Sequence, residues 1–593
     1  MRNVLTAFAA CVLLGSTAST TAWQTRYRTL NDTFDPPKIT SVDGWKRRAA
    51  YLREHILATA GLLPMPEKTP LNPEAFGEVK YTDYTMSKVY FESLPGFFVT
   101  GNLYRPSGNG PFPAILSPHG HWPYGRLENS TLASVPGRAI NLARQGFVVF
   151  TYDMIGYNDS RQLPHTFGGR RENLWGLSLA GLQLWNSIRA LDFLESLPYV
   201  RRDAIGATGA SGGGTQTFLL AAVDERVAVA APVNMISLHM QGGCLCENQP
   251  GLRLDTTNVE IASTIAPRPL LMVSATGDWT KNTMEHEYPA VRSVYTLLGA
   301  PDRVHALRID ANHNYNRESR EAMYAWMARW LQKAPADLSR PERDFTPPPL
   351  PDSLVFHQRS LPAGAVTPQQ LTDNWIAASK RQLAAASIEV RVRALAHALA
   401  IDADGNGDAA SKPSAGSRTV ILASPDAELE TSLKQAGFSV QSLESPKFDA
   451  DAASKVRHFE TYNRTTAGQL VADIVHALRA SPGAVLVSGS EAGPAGLLAA
   501  AMAPASLAVL DVGGFDTGRD EGFLEHLYIP GVRRAGDLQT AAAIAKTPLL
   551  VHNAGPGFMI DVSGQSHKVQ REKLSTREIV TAVRTATRRQ PRS

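Results

Sequence analysis

Cysteine is scarce in this chain of 593 residues, which contains only Cys11, Cys244 and Cys246. A small fold held together by several disulfides is therefore excluded. An excess of charge of one sign is missing too, because 59 Lys and Arg residues nearly balance 55 Asp and Glu residues, for a formal net charge of +4. This balance gives no support to nucleic-acid binding, and the basic residues 584–593 are interpreted as a solvated tail.

Long apolar runs are absent beyond the N-terminus. Residues 1–22 contain Arg2, then the run VLTAFAACVLLG, then small residues, which is typical of a signal peptide and too short for a transmembrane helix. We expect cleavage near Ala18 or Ala22 and a soluble, secreted or periplasmic mature protein without a membrane segment. Cys11 lies inside the apolar run, and its FAAC context leaves a lipoprotein as the alternative.

The length exceeds what a single hydrophobic core usually supports, so at least two domains are expected. We predict a helical lead-in over 23–85, a first domain over 86–335, a proline-rich linker over 336–360 and a second domain over 361–593. A hairpin with a Pro-Gly turn starts the first domain at Lys88, and strands then alternate with helices. This pattern predicts a mostly parallel sheet with helices on both faces.

The two halves match each other. AGLQLWNSIRAL in the first corresponds to AGQLVADIVHAL in the second, and PRPLLMVSATGDW corresponds to TPLLVHNAGPGF. Ser211 stands 67 positions before Asp278, and Glu491 stands 66 positions before Gly557. We therefore predict a tandem repeat of one α/β fold whose second copy is shortened, because the extra loops of the first copy are missing there.

The stretch Gly209-Ala210-Ser211-Gly212-Gly213 follows an apolar strand and opens a helix. This is the G-x-S-x-G nucleophile elbow, a strained strand-to-helix turn that exposes the serine hydroxyl. Serine needs a base that is oriented by an acid. Asp278 and His313 each follow a later strand, which gives the order Ser…Asp…His expected for an α/β-hydrolase.

Alternatives exist at each of these positions. Asp278 could instead be a helix N-cap, with Glu285 or Glu287 as the true acid, and His313 could be an exposed loop histidine. Two backbone N–H donors must stabilise the oxyanion. The prediction names Gly212, which follows the serine, and His121 in the loop SPHGHWPYGR.

The motifs SPHGHW, YDMIGYNDS, GASGGGTQT, GDWT and ANHNY resemble those of the bacterial acetyl xylan esterase and dienelactone hydrolase relatives within the α/β-hydrolase superfamily. The resemblance covers residues 80–335 in detail. It implies tandem α/β-hydrolase folds and a secreted serine esterase with Ser211 as nucleophile, Asp278 as acid and His313 as base. Dienelactone hydrolases use a cysteine nucleophile, so the serine favours the esterases. The implied substrate is a small ester or an acetylated polysaccharide.

Several residues near the predicted catalytic loops are candidates for substrate contact. Trp122, Tyr124 and Trp279 are predicted to stack on a sugar or aryl group, or else to pack in the core. The segment 240–260 has the position of a lid, and its Cys244 and Cys246 are either a local disulfide or two buried thiols. We expect no histidine to join them, so they make a poor zinc site, and we predict no metal and no cofactor.

The second copy lacks the catalytic residues. Glu491 replaces the nucleophile and Gly557 the acid, while His552 lies within a strand and His567 in a polar loop. We interpret GSEAG as an elbow retained for its fold. The stretch DADGNGD from Asp402 begins like a calcium loop, but Pro413 stands where a glutamate is needed, which favours an acidic linker.

The leading hypothesis is a secreted carboxylic ester hydrolase acting on carbohydrate esters. One alternative is a prolyl-oligopeptidase-like serine peptidase, although the lead-in is too short for the propeller domain of such enzymes. The other alternative is a non-catalytic binding or scaffold protein, which the intact Ser211, Asp278 and His313 pattern argues against. Neither the acyl group nor the oligomeric state follows from the sequence.

Overall fold

The computed structural model of the protein describes residues 26–32, 39–401, 418–561 and 566–588. The expected signal peptide and the DADGNGD segment lie outside these residues. Within them the chain forms two β-sheets, of nine and six strands. None of the described helices combines the length and the apolar character needed to cross a bilayer.

The first sheet unit (residues 39–331) contains a mixed sheet in the order β1-β2-β3-β5-β4-β6-β7-β8-β9. Strands β1 to β3 are antiparallel, β3 is antiparallel to β5, and the pairs from β5 to β9 are parallel. The strands are β1 Glu74–Lys80, β2 Tyr84–Leu94, β3 Phe97–Pro106, β4 Phe112–Leu116, β5 Val148–Tyr152, β6 Val200–Ala210, β7 Val227–Val233, β8 Leu270–Gly277 and β9 Val304–Asn312.

Helices cover both faces of this sheet. They are α1 Val42–Thr59, α2 Val135–Arg144, α3 Arg170–Leu174, α4 Leu179–Ser196, α5 Gly212–Val223, α6 Asn258–Ser263, α7 Tyr288–Leu297 and α8 Arg317–Leu331. Neighbouring strand residues point to opposite faces. Ile115 accordingly packs in one apolar cluster with Ile140 of α2 and Met327 of α8. Leu116 packs in another with Phe218 of α5, so two apolar layers enclose the sheet.

Three helices follow the first sheet unit, namely α9 Leu350–Ser353, α10 Pro368–Ala385 and α11 Ile388–Leu399. The segment predicted as a proline-rich linker, 336–360, packs on the first sheet unit. The backbone N–H groups of Val355 and Phe356 donate to the Asp159 carboxylate at 2.8 and 3.0 Å, and Arg126 donates to the carbonyl of Ser353 at 2.9 Å. The stretch expected as a helical lead-in contains α1 and also the edge strand β1.

The second sheet unit (residues 418–588) is entirely parallel, in the order β11-β10-β12-β13-β14-β15. Its strands are β10 Thr419–Ala423, β11 Ser439–Leu443, β12 Val485–Ser488, β13 Leu507–Asp511, β14 Leu549–His552 and β15 Lys568–Val569. Its helices are α12 Ala427–Gln435, α13 Ala450–Ser454, α14 Phe459–Tyr462, α15 Thr466–Ala480, α16 Gly493–Met502, α17 Asp520–His526, α18 Asp537–Ile544 and α19 Thr576–Arg588.

The six strands of the second sheet unit repeat the order of β5-β4-β6-β7-β8-β9 in the first. The second lacks counterparts of the antiparallel strands β1 to β3 among the described residues. The predicted fold class, a tandem of α/β units with a smaller second copy, is therefore confirmed.

The two units share an interface. The carboxylate of Asp520 accepts from Trp175 Nε1 at 2.9 Å and pairs with Arg171 at 3.0 Å. Helix α14 also hydrogen-bonds to the predicted lid, because Gly251 N donates to Glu460 O at 2.7 Å and Arg253 N donates to Thr461 O at 2.9 Å. The second unit thus contacts a loop that, as shown below, lies beside Ser211.

Candidate active site

Ser211 is the single residue between β6 and α5. Its φ of 57° and ψ of −128° lie in a sparsely populated region for a residue with a side chain, so the turn is strained. A Cβ placed on Gly209 would lie 2.6 Å from the carbonyl oxygen of Pro118, and one on Gly213 would lie 2.7 Å from the same atom. The glycines that flank the serine are therefore required by close backbone packing.

Asp278 and His313 lie together at the same edge of the sheet as Ser211. The Nδ1 atom of His313 is 2.8 Å from Oδ2 of Asp278, whose side chain is only 2% exposed. The other carboxylate oxygen accepts from the backbone N–H and the hydroxyl of Thr280, at 2.7 and 2.5 Å. These bonds fix the carboxylate, and the His313 Nε2 atom has no hydrogen-bond partner within the part of the chain that the structure describes.

The loop that carries His313 is fastened to the strands beside Ser211. The hydroxyls of Tyr315 and Thr208 are 2.6 Å apart, and Thr208 belongs to β6, three residues before Ser211. Asn234, which follows β7, donates to the carbonyl of Asn314 at 3.1 Å. The position of His313 is thus coupled to the strands that form the elbow.

The alternative acids lie elsewhere. Glu285 is exposed and pairs with Arg308 at 2.8 Å. Glu287 is buried and accepts from the backbone N–H of Leu238 at 3.1 Å. Neither carboxylate contacts His313, so the geometry favours Asp278.

Two of the three predicted aromatic residues flank His313. The ring centroid of Trp279 is 4.4 Å from that of His313. The ring of Trp122 is stacked on that of His313, with 5.7 Å between the two centroids. Tyr124 is 66% exposed and has no ring contact with His313. The two tryptophans therefore form an apolar wall at the candidate site, and Tyr124 stands apart from it.

The predicted oxyanion loop lies directly beside the serine. A Cβ placed on Gly120 would be 3.0 Å from Cβ of Ser211 and 3.2 Å from Nε1 of Trp122. A Cβ on Gly212 would be 2.6 Å from Cε1 of His121. The loop residue Gly120 thus lies against Ser211, and the imidazole of the next residue, His121, lies against Gly212.

Two histidines and two cysteines, which the sequence did not predict to meet, form a cluster next to this loop. His121 Nε2 lies 3.1 Å from Sγ of Cys246, and His165 Nε2 lies 3.3 Å from Sγ of Cys244. The two Nε2 atoms are 3.2 Å apart. The expectation that the cysteines have no histidine nearby is therefore wrong. Cys244 is 79 positions from His165, and Cys246 is 125 positions from His121. Because of these separations, no local pattern in the sequence indicated the cluster.

The segment expected as a lid is held by internal contacts. Glu247 Oε2 accepts from the backbone N–H groups of Gly243 and Cys244, at 2.8 and 2.9 Å. Arg253 is buried and donates to the carbonyl of Glu247 at 3.0 Å. Cys244 and Cys246 are free thiols. Hydrogen bonds from Cys246, His121 and His165 hold the pKa of the Cys244 thiol well below its usual range, whereas burial raises the pKa of Cys246.

The strand order of the first sheet unit, its parallel crossovers and the strained serine turn at the end of β6 together define its fold. It is an α/β-hydrolase fold. A family model described as X-Pro dipeptidyl-peptidase (S15 family) matches residues 96–275, which include Ser211. A putative hydrolase of Bacillus subtilis is 27% identical over 263 residues, covering 40% of this chain and 84% of its own.

Solved structures are similar to about half of the chain. A methylesterase is 32% identical with a TM-score of 0.44, covering 49% of this chain and 65% of its own, so the match spans less than two thirds of that protein. A putative acetyl xylan esterase from Bacteroides fragilis is 17% identical with a TM-score of 0.39, covering 47% and 78%. A glucuronoyl esterase from Caldicellulosiruptor kristjansonii is 18% identical with a TM-score of 0.35, covering 55% and 97%.

Proposed function

We propose that the first sheet unit is a serine carboxylic ester hydrolase that removes acetyl or other short acyl groups from carbohydrate esters. The observation that carries this proposal is the pairing of His313 with Asp278 at the sheet edge where Ser211 sits on a strained turn. The resemblance of the sequence motifs to those of acetyl xylan esterases supports the substrate class.

In this mechanism the Asp278 carboxylate accepts the Nδ1–H of His313, which leaves Nε2 as the basic nitrogen. Nε2 takes the proton of Ser211 as Oγ attacks the ester carbonyl carbon. The N–H groups of Gly212 and His121 stabilise the oxyanion. His313 then protonates the departing alcohol, and water hydrolyses the acyl-enzyme by the reverse proton transfers.

The tryptophan wall supports a small acyl group and a sugar alcohol. Trp122 and Trp279 pack against the imidazole of His313, the group that protonates the leaving alcohol in this mechanism. Flat aromatic faces suit the apolar C–H faces of a sugar ring. Such a wall beside the base also limits the room for a long acyl chain.

The experiment combines covalent labelling with a substrate panel. An organophosphonate ester should form a stable adduct with the protein, and peptide mass spectrometry should locate it on Ser211. The panel contains p-nitrophenyl acetate, butyrate and octanoate, acetylated sugars, and methyl and glucuronoyl esters, with Ser211→Ala protein as the blank. We expect acetyl esters to react faster than octanoyl esters at matched concentration. Labelling at another residue, or faster octanoyl turnover, contradicts the proposal.

The match of the dipeptidyl-peptidase model to residues 96–275 favours peptide hydrolysis as a second candidate. Peptidases and esterases share the serine, the base and the oxyanion donors, so the site chemistry alone does not separate them. An Xaa-Pro p-nitroanilide is therefore added to the panel. Turnover of this amide at a rate comparable to the best ester would favour the peptidase.

We further propose that the protein is exported, on the basis of its first 22 residues. The mature protein then acts outside the cytoplasm on external esters. N-terminal sequencing of the protein recovered from the native host should give a start just after Ala18 or Ala22. A start at Met1 contradicts export, and a lipid-modified Cys11 identifies a lipoprotein.

A further inference from the structure

The cluster of His121, His165, Cys244 and Cys246 brings four metal-ligating atoms to one point. All four lie within 4.8 Å of one another. A tetrahedral zinc ion with bonds of about 2.0 Å to nitrogen and 2.3 Å to sulfur requires nitrogen–nitrogen edges of about 3.3 Å and nitrogen–sulfur edges of about 3.5 Å. The observed distances are 3.2 Å between the nitrogens, and 3.1 and 3.3 Å between nitrogen and sulfur.

The surrounding contacts orient the ligands. His165 Nδ1 is 2.6 Å from the carbonyl of Ile155, and because a carbonyl only accepts, Nδ1 carries the hydrogen. The neutral ring then presents the lone pair of Nε2 to the cluster. Outer partners of this kind normally fix the tautomer and direction of metal-bound histidines. The Glu247 carboxylate likewise holds the backbone of Gly243 and Cys244.

We infer that His121, His165, Cys244 and Cys246 form a binding site for one zinc ion beside Ser211. Binding releases the two thiol protons to solvent, and two thiolates with two neutral imidazoles then balance the charge of Zn²⁺. All four positions are taken by protein ligands, which is the arrangement of a structural site. The cluster is only partly buried, so the ion can enter.

The ion would join three loops at the end of the sheet where Ser211 lies. His121 follows β4, His165 follows β5, and the two cysteines follow β7. His121 also supplies the proposed oxyanion N–H, and its imidazole lies against Gly212. Zinc would therefore hold His121 in position. The effect of zinc on turnover rests on the proposed esterase function.

The experiment measures metal binding on the untagged full chain, independently of activity. Protein purified under reducing conditions without chelators should contain about one zinc per chain by elemental analysis. The cobalt-substituted protein should show thiolate-to-cobalt charge-transfer bands and the visible bands of a tetrahedral site. His165→Ala should weaken zinc binding by about 100-fold or more, because even outer partners contribute 10–100-fold.

Cys244→Ser with Cys246→Ser should remove the charge-transfer bands, while His526→Ala, at an exposed histidine, should keep both metal and bands. Wild-type protein that stays metal-free after reconstitution with zinc overturns the inference, even if every variant fails to fold. A Cys244–Cys246 disulfide in protein from an oxidising compartment, seen as the loss of two hydrogens by mass, also overturns it.

The metal readout separates this inference from the proposed function. Zinc-loaded protein that is inactive on every ester contradicts the esterase proposal and leaves the inference of a metal site standing. Protein that hydrolyses esters but binds no zinc on reconstitution contradicts the metal site and leaves the esterase proposal standing. In the esterase, removal of zinc should lower kcat more than it raises KM, since the oxyanion donor acts mainly in the transition state.

Discussion

The two sheet units share one strand order and differ at the turn that follows the third of the six common strands. After β6 the serine has positive φ and α5 begins at the next residue. After β12 the turn at Glu491 has no residue of positive φ, and α16 begins only at Gly493. GSEAG therefore does not have the strained backbone of a nucleophile elbow, and its interpretation as a retained elbow is wrong in this respect. A strained turn costs stability, so a copy that carries no nucleophile can relax it.

The positions of the acid and base differ as well. A Cβ on Gly557, at the acid position, would lie 2.5 Å from Cγ of Asp516, so a larger side chain there would require this carboxylate to shift. His552 accepts from the backbone N–H of Leu574 at 3.2 Å, in place of a carboxylate partner. The second unit thus keeps the sheet and the helices, while the loops that place reacting groups differ. This comparison shows that topology alone does not make a catalytic site.

The largest expected effect is the loss of turnover in the first unit. Ser211→Ala and His313→Ala should each lower kcat for an acetyl ester on the order of 10³-fold or more, and the double variant little further, because the residues act as a unit. Steady-state kinetics on folded protein checks this. Substantial activity in either single variant would refute the assignment.

Asp278→Asn should cost less than Ser211→Ala but still lower kcat by up to about 10⁴-fold, because the amide no longer supports the correct tautomer of His313. The matched control is Glu285→Gln, an exposed carboxylate that pairs with Arg308. A silent Asp278→Asn together with a strong loss in Glu285→Gln would reverse the choice of acid.

The interface between the units should be sensitive at Asp520. This carboxylate binds Trp175 and Arg171 of the first unit and Arg533 of the second. Arg533 is nearly buried, so Asp520→Ala leaves its charge without this partner and should lower the free energy of unfolding by about 3 kcal/mol. Glu521→Ala, at an exposed ion pair, is the control. Equal denaturation midpoints for both variants would show that the interface contributes little.

The contact between α1 and α11 should make stability depend on pH. Burial lowers the pKa of His55 to about 4, against the opposing charge of Asp255, and Arg48 and His397 also face it. The unfolded chain binds this proton near pH 6.5, so the stability is present above that pH and is lost as the pH falls toward 4.

Between pH 7 and pH 5 the loss should be about 2 kcal/mol. Denaturant unfolding at several pH values measures it. His55→Gln retains a donor for the carbonyl of Gly251 and should flatten the dependence. An unchanged slope in His55→Gln would assign the effect to other groups.

The smallest expected effect is at Glu491. Glu491→Ala should leave esterase turnover unchanged, and Glu491→Ser should add no second site, because a hydroxyl without a base is not activated. Active-site titration of the Glu491→Ser protein should count a single reactive serine. A large loss of turnover in folded Glu491→Ala would mean that the second unit takes part in catalysis.

Local patterns allowed much of the fold to be predicted. The helical lead-in expected over 23–85 contains α1, and the hairpin expected from Lys88 onward is β2 with β3. The edge strand β1 was missed, because its burial does not alternate regularly and only pairing with β2 defines it. The predicted domain boundaries, the export signal and the catalytic roles stay predictions.

The sequence by itself determined the strand and helix periodicity, the tandem repeat, and the order of Ser211, Asp278 and His313. Each of these can be recognised from residue patterns within short stretches of the chain. Only the tertiary structure decided which atoms meet. It paired His313 with Asp278 across 35 positions and gathered two histidines around two cysteines from loops up to 125 positions away. Parallel strands bring their carboxyl ends to one edge whatever their separation along the chain, so chemistry assembled there leaves no local pattern.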